Sequence, residues 1–479
     1  MILVQSGVVA GIEGFPIDVE VDVRPGLPGF EIVGLPSKTV RESRERVRSA
    51  LRNSGFKFPA QKVIVNLAPA HYPKDGALFD LPIALGILAH QGVLPPQVFK
   101  NAMFAGELSL SGTLKRISGV LSLAKLASQR NWQIILPREN EVEAALIPGK
   151  HYLLASSLHN VLDLVTGRIP PQKCSPGKRI VRKAFQGAEI KGQAQAKRAL
   201  EIAAHGRHHI MLLGPPGVGK TLLAKTARYL LPPPTHEEIL VINKVYEAAG
   251  LMDSRSPLLT ERPFRVPHHS ISQAALVGSR SGRPGEITLA HSGVLLLDEF
   301  PEFNQGALQG LREPLDHKEV QISRAEHTLT YPADFWMIAT ANPCPCGYLG
   351  SEVRLCTCNS RDVNRYRRKL RGPLLDRFEV FAYLSPLSEQ ELRQRTIPWP
   401  PIQRAEGHRH PEEAPTMSED ALDFLHQVQK KLELSVRGFE NTRRLSRTIA
   451  RLDGASIIRQ THMAEALQYR FESHNQVLT

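Results

Sequence analysis

The chain has 479 residues, 42% hydrophobic and 22% charged, which marks an ordinary soluble globular protein too long for one core. Lys and Arg total 60 against 47 Asp and Glu, a formal net charge of +13 that suits a nucleic-acid partner and equally describes a solvated basic surface. The opening segment MILVQSGVVAGIEGF has no basic n-region and no long apolar core, and no run approaches a transmembrane length, so the expectation is a cytoplasmic protein with reduced thiols and no membrane partner.

In chain order, residues 1–165 mix strand-type runs (FPIDVEVDVRPG, QKVIVNLAPA, WQIILP) with helical ones (VRESRERVRSALRNSG, DLPIALGILAHQG) and read as an α/β domain. Residues 166–184 are rich in Pro, Gly and Lys and read as a linker. Residues 185–384 form a second α/β region whose strands HIMLLG, GVLLLDE and FWMIATAN are near-continuous apolar runs, the pattern of a parallel sheet buried on both faces. Residues 385–479 begin with a polar, Pro-rich loop and continue as helices, predicting a small helical domain.

GPPGVGKT, comprising Gly214, Pro215, Pro216, Gly217, Val218, Gly219, Lys220 and Thr221, follows a strand and opens a helical run, the context a phosphate loop requires. Its glycines turn backbone N–H groups onto phosphate oxygens, and the helix N-terminus adds a positive dipole end. Lys220 offers a charge to the β/γ-phosphates of ATP, and Thr221 a hydroxyl to Mg²⁺. Asp298 ends an apolar strand, where it can hold Mg²⁺, and Glu299 beside it can deprotonate an attacking water. Asn342 ends the next strand beside the γ-phosphate position. Arg377 reads as half of a surface ion pair with Asp376, and Arg443, Arg444 and Arg447 share one helix, from which one arginine aimed at the phosphates would couple lid closure to nucleotide state.

Four of the chain's 5 cysteines, Cys344, Cys346, Cys356 and Cys358, lie in one short segment, residues 343–360; the fifth, Cys174, stands alone in the linker. Two C-x-C pairs separated by a short gap supply the four thiolates of a tetrahedral zinc site, and Pro345 and Gly347 allow the tight turn each pair needs. Two strained disulfides, four free thiols or an iron–sulfur cluster are the competing readings. Arg354 within that segment and Arg361 just after it are the residues to test for a DNA contact.

Together GPPGVGKT, RPFRVPHHS, ALVG, RPGEITLAHSGVLLLDE, ATANPCPCGY, GPLLDRF and the Arg-rich lid helix resemble the AAA+ ATPases of the magnesium-chelatase type, specifically the ComM/YifB family, over nearly the whole chain. The resemblance implies an α/β P-loop module with a helical lid. Lys220 and Thr221 become Walker A, Asp298 and Glu299 Walker B, Asn342 sensor 1, Arg377 an arginine finger entering a neighbour's site, and Arg444 sensor 2, with Arg443 the alternative. It also implies hexameric rings and ATP-driven branch migration of DNA in natural transformation, a helicase activity; a chelatase-like subunit that remodels a protein partner is the other reading. HHSISQAALVGSRSGRPGEI looks like a helix-2 insert and VQISRAEHTLTYPADFW like a hairpin before sensor 1, both facing the pore of such a ring, so Arg280, Arg283, Arg324 and His327 become candidate DNA contacts. The N-terminal domain resembles the Lon-protease fold, but Leu78 and Leu121 stand where the serine and lysine of a dyad would be. The fold is therefore expected without the peptidase, unless a shifted alignment brings Lys115 or Arg116 to that site.

Overall fold

The computed structural model describes residues 1–72, 74–147, 152–170, 187–252, 258–323, 328–350, 354–370, 374–393, 398–400, 415–432 and 434–470. The chain divides into two compact units, Met1–Val181 with His236–Thr260, and Arg182–Thr235 with Glu261–Thr479. No helix among the described residues is long and apolar enough to cross a membrane.

The first unit is built on seven strands: β1 (Ile2–Ala10), β2 (Glu13–Arg24), β3 (Gly29–Val33), β4 (Lys62–Ala68), β5 (Ala102–Phe104), β6 (Gln133–Pro137) and β7 (Tyr152–Ala155). They form one mixed sheet in the order β3-β4-β2-β1-β5-β6-β7. Alternation along β2 sends Ile17, Val19, Val21 and Val23 into the core, as a period of two requires. Helices α1 (Lys38–Asn53), α2 (Asp80–His90) and α3 (Val120–Gln129) cover the sheet. Asp80 is fully buried, and Arg46 of α1 reaches it with Nε at 2.7 Å and Nη2 at 3.1 Å. Burial pushes the Asp80 carboxyl up while the guanidinium opposes it. Removing either partner strands the other charge, a loss of about 3–5 kcal/mol.

Leu78 and Leu121 both lie in this core, so hydrocarbon fills the two positions a Ser–Lys dyad would need. Lys115 instead lies 3.6 Å from Glu139, and Arg116 pairs with Glu143.

One helix of the first unit comes from beyond the phosphate loop in the chain. His236–Ala248, inside the region expected as one continuous ATPase core, belongs by its packing to the N-terminal unit. Its Leu240 joins the N-terminal core, and its Glu247 accepts the backbone N–H of Gly119, the residue that caps α3. The carboxylate thus serves α3 as a cap supplied from far along the chain, in a position the helix dipole favours.

The second unit contains β8 (Ile210–Leu213), β9 (Phe264–Arg265), β10 (Val294–Leu297), β11 (Glu319–Ser323), β12 (Thr328–Pro332), β13 (Trp336–Ala341) and β14 (Val380–Tyr383). Five of them form a sheet in the order β9-β10-β13-β8-β14, with every pair parallel. The apolar runs of β8, β10 and β13 are buried along their whole length, as the sequence pattern predicts. The chain 319–332 forms the expected antiparallel hairpin from β11 and β12. The longer helices, of eight residues or more, are α4 (Ala194–Gly206), α5 (Lys220–Ala227), α6 (Ser360–Lys369), α7 (Glu419–Leu432), α8 (Val436–Leu452) and α9 (Gln460–Gln468) among the described residues. Leu445 and Ile449 of α8 and Ala466 of α9 share one core with the sheet, and Arg198 of α4 bridges Asp453 at 3.0 Å and Glu465 at 2.9 Å, so the C-terminal helices are seated on α4.

Burial pushes the Glu247 carboxyl up to about 7. The backbone N–H groups of Gly119 and Val120 and the Arg116 charge pull the other way, and Glu143 adds to the rise. Between 4.5 and about 7 the folded chain holds a proton that the unfolded chain has released, so stability falls as pH rises through that window. Glu247→Gln should remove this slope, on the order of 2–3 kcal/mol between pH 5 and 8. Urea unfolding of both proteins at the two pH values measures it; equal slopes contradict the assignment.

Candidate nucleotide site and the cysteine cluster beside it

Residues 214–219 leave the C-terminal end of β8 and enter α5, with Gly217 at φ 83° and Gly219 at φ 91°, left-handed values that a side chain resists. This turn folds the loop over the first residue of the helix. Lys220 is buried, and its Nζ donates to Gly214 O at 2.7 Å, Pro215 O at 2.8 Å and Asn342 Oδ1 at 3.0 Å. Burial pulls the ammonium down to about 8, opposed by Asp298 and Glu299. Thr221 Oγ1 lies 3.1 Å from both oxygens of Asp298 at the end of β10. A hydroxyl beside a carboxylate is a hard oxygen donor set of the kind Mg²⁺ takes, so these two residues fit that ion.

Thr340, which sequence reasoning passed over, completes the group. Its Oγ1 donates to Asp298 Oδ1 at 2.6 Å and accepts the Glu299 N–H at 3.0 Å. One hydroxyl therefore fixes both the carboxylate and the peptide that follows it. The available signal was a polar residue two positions before Asn342 in an apolar run. Glu299 adopts φ 56°, and its exposed carboxylate has His269 of RPFRVPHHS at 3.9 Å. A non-glycine residue in the left-handed region is strained backbone of the sort found at functional sites.

Asn342, Lys220, Thr221, Asp298 and Glu299 thus converge at the C-terminal ends of the strands, while the predicted arginines lie elsewhere. Arg377 packs its guanidinium on Asp316, with Nε at 3.2 Å from Oδ1, and not on Asp376. Arg437 shares the same carboxylate at 3.3 Å, and these two guanidinium groups hold Asp316 below the usual carboxylate range. Arg444 lies 2.9 Å from Glu379, whose backbone N–H meets His209 O at the start of β8. Burial would raise the Glu379 carboxyl, but His208, His209 and Arg444 outweigh it and hold it down at about 2. Arg377, Arg444, Arg447 and Arg451 line one cavity of about 680 Å³ together with His209 and Phe335, residues that precede β8 and β13. Four residues of β8 separate this cavity from Gly214, about 13 Å of extended chain. Arg444 therefore does not reach this chain's own phosphate loop: it sits at the opposite edge of the sheet. Arg443 pairs with Glu440 at 3.3 Å within α8.

Arg280 and Arg283 are exposed on a loop closed by a Ser279–Arg283 turn, and Tyr331 of β12 donates to Gly282 O at 2.6 Å, so loop and hairpin adjoin. Arg324 and His327, between β11 and β12 in the sequence, lie outside the described residues, as does Cys174.

Cys344, Cys346, Cys356 and Cys358 place their sulfurs within 4.8 Å of one another. The separations are 3.4 Å for 344–346, 3.7 Å for 344–356 and 3.5 Å for 346–356, well beyond a disulfide bond. Sulfurs about 2.3 Å from a tetrahedral zinc are about 3.8 Å apart, so this cluster fits the ion. Backbone N–H groups of Cys346 and Leu349 point at Cys358 Sγ and Cys344 Sγ, each at 3.3 Å, which favours thiolates. Arg354 lies over the Tyr348 ring at 4.8 Å, and Arg361 is exposed.

A parallel sheet with a phosphate loop at one edge and a helical lid is an AAA+ module, and comparison with known proteins gives its type. Residues 187–392 match the family described as magnesium chelatase, subunit ChlI; residues 19–140 match subunit ChlI of Mg-chelatase, and residues 389–470 its C-terminal part. Competence protein ComM of Haemophilus influenzae is 38% identical over 502 residues, 98% of this chain and 97% of that protein. YifB of Escherichia coli is 38% identical over 495 residues, 98% of this chain and 96% of its own length. DNA replication licensing factor Mcm2 of Drosophila melanogaster is 24% identical over 314 residues, 61% of this chain and 31% of that protein. The chain belongs to the ComM/YifB family of magnesium-chelatase-type AAA+ ATPases, for which ATP and Mg²⁺ are the implied ligands.

Above pH 8, where the buried amine has released its proton, binding a phosphate that needs the charged Lys220 must take a proton up from solvent. ATP affinity should then fall by up to about tenfold per pH unit above 8. Isothermal titration in buffers of different ionisation enthalpy reads both the affinity and the proton uptake; flat affinity from pH 8 to 9.5 contradicts the burial of that ammonium.

Proposed function

We propose that the protein is a ring-forming, DNA-dependent ATPase that drives branch migration of recombination intermediates. The observation that carries this reading is the separation of the two charged groups: carboxylates, Lys220 and Asn342 at one edge of the sheet, arginines at the other. A chain that keeps Arg377 and Arg444 about 13 Å of strand away from its phosphate loop supplies them to a neighbour's nucleotide. Head-to-tail association of this kind closes into a ring, and six subunits is the number proposed. Within one site Lys220 contacts the β/γ-phosphates, Asn342 orients the attacking water and Glu299 takes its proton. Thr221 and Asp298 hold Mg²⁺, which when bound neutralises phosphate charge. Arg377 stabilises the transferring phosphoryl group from the adjacent subunit, and Arg444 acts as the sensor in the same interface. The four cysteines hold a structural Zn²⁺, and along the chain the domains run 1–165, 166–184, 185–384 and 385–479, with helix His236–Ala248 of the third packed into the first.

The name of the similar Haemophilus protein, a competence protein, and that of the more distant relative, a replication licensing factor, favour DNA as partner. The net charge of +13 and the exposed Arg280 and Arg283 beside the hairpin support it, with Arg324 and His327 proposed at its tip. The second reading, a chelatase-like subunit that remodels a protein without translocating on DNA, is favoured by the family matches alone.

Full-length protein, sized in the presence of nucleotide, should hydrolyse ATP at least several-fold faster with single-stranded, duplex or four-way-junction DNA. Turnover indifferent to every DNA offered supports the remodelling reading instead. Lys220→Ala and Arg377→Ala should each be nearly inactive, the second still binding ATP. Mixing them should restore measurable turnover, because some interfaces then pair an intact Lys220 site with an intact Arg377; a mixture as dead as its parts rejects action across the interface.

A further inference from the structure

We propose that the cysteine cluster forms a wall of the nucleotide site, so that metal on its four sulfurs sets how tightly the phosphate loop holds nucleotide. The proposal rests on reading the cluster as a metal site, and three contacts carry it further.

The first is direct. Gly347, between the two C-x-C pairs, has φ 85°, and a Cβ there would lie 2.5 Å from Pro216 Cδ and 3.1 Å from Pro216 Cγ. Pro216 is the third residue of the phosphate loop. The knuckle therefore rests on the loop so closely that only hydrogen fits between them. Its turn is closed by the Gly347 N–H donating to Cys344 O at 2.9 Å.

The second contact runs along the chain. Cys344, fully buried, stands two residues after Asn342, whose side chain accepts from Lys220 Nζ at 3.0 Å. The third closes the circuit. Cys358 precedes Asn359, which caps α6 by accepting the Asp362 N–H at 2.8 Å. Helix α6 then carries the buried Tyr366 back beside the strand end, where the backbone of Asn342 acts electrostatically on its hydroxyl. The chain thus leaves the catalytic strand at 343, turns through four cysteines and returns to Asn342 by 366.

A metal ion converts this excursion into a closed loop. Without it, gathering four thiols and holding Gly347 against Pro216 costs conformational entropy that no bond offsets. The loop conformation that holds phosphate is then populated for a smaller fraction of the time, and apparent affinity falls by that fraction. Linkage makes the effect reciprocal: nucleotide must tighten the metal by the same factor.

Three measurements on the full-length protein test this. Reduced protein, purified without chelator, should carry about one zinc per chain. ADP should bind at least about fivefold more weakly after the metal is removed and recover when Zn²⁺ is added back, and saturating ADP should slow zinc transfer to a competing chelator by a similar factor. Gly347→Ala keeps all four cysteines; it should retain its zinc and still bind ADP more weakly, because the added methyl meets Pro216. This variant and the chelator competition use metal-loaded protein, so they decide the matter even if the metal-free chain unfolds. Absence of bound metal defeats both the metal-site reading and this coupling. Metal present, with ADP affinity the same in Gly347→Ala and zinc release indifferent to ADP, defeats the coupling alone.

Discussion

Because β9, β10, β13, β8 and β14 all run in one direction, each strand delivers its last residue to one edge of the sheet and its first to the other. The carboxylates of Asp298 and Glu299, the amide of Asn342 and the loop that folds over Lys220 are therefore gathered together by strand direction alone. The residues that precede β8 and β13 are gathered at the far edge in the same way, and there the lid helix α8 lays down its arginines. Asp316 and Glu379 neutralise part of that charge, but Arg377, Arg437, Arg444, Arg447 and Arg451 outnumber them. One molecule thus carries an acidic, phosphate-binding edge and a basic edge on opposite ends of the same strands. This opposition of charge is what the proposed head-to-tail association draws on.

Thr340 illustrates how much of a nucleotide site is support. Its hydroxyl fixes Asp298 by a 2.6 Å hydrogen bond and the Glu299 peptide at 3.0 Å. Glu299 is held in the left-handed region, which its neighbours must over-determine. The precision of the acidic pair is then a property of β13 as much as of β10.

The first unit is a warning about domain boundaries drawn from sequence. Helix His236–Ala248 follows the phosphate-loop helix by only a short connection, and its amphipathic pattern looks like any other helix of an α/β region. Its destination is decided by Leu240 and by Glu247, which finds the N-terminus of α3 more than a hundred residues earlier in the chain. In the same unit Leu78 and Leu121, at the positions where a Ser–Lys dyad was weighed, are plain core residues. Fold alone would not have supplied that chemistry, which lives in the side chains of a site.

The sequence by itself determined what depends on neighbours along the chain. The phosphate loop and its helix, the apolar strands of the second sheet, the hairpin at 319–332, the acidic pair at the end of β10 and the four clustered cysteines are each specified by residues a few positions apart. The leucines in place of a dyad were legible for the same reason. The tertiary structure decided which distant partners meet. Arg377 finds Asp316 and not its neighbour Asp376, Arg444 faces away from its own phosphate loop, the helix after α5 joins the N-terminal unit, and Gly347 lies against Pro216. Local spacing sets turns, caps and periodicity within a few residues, whereas these pairings follow from the direction and order of strands, which no short stretch of chain encodes.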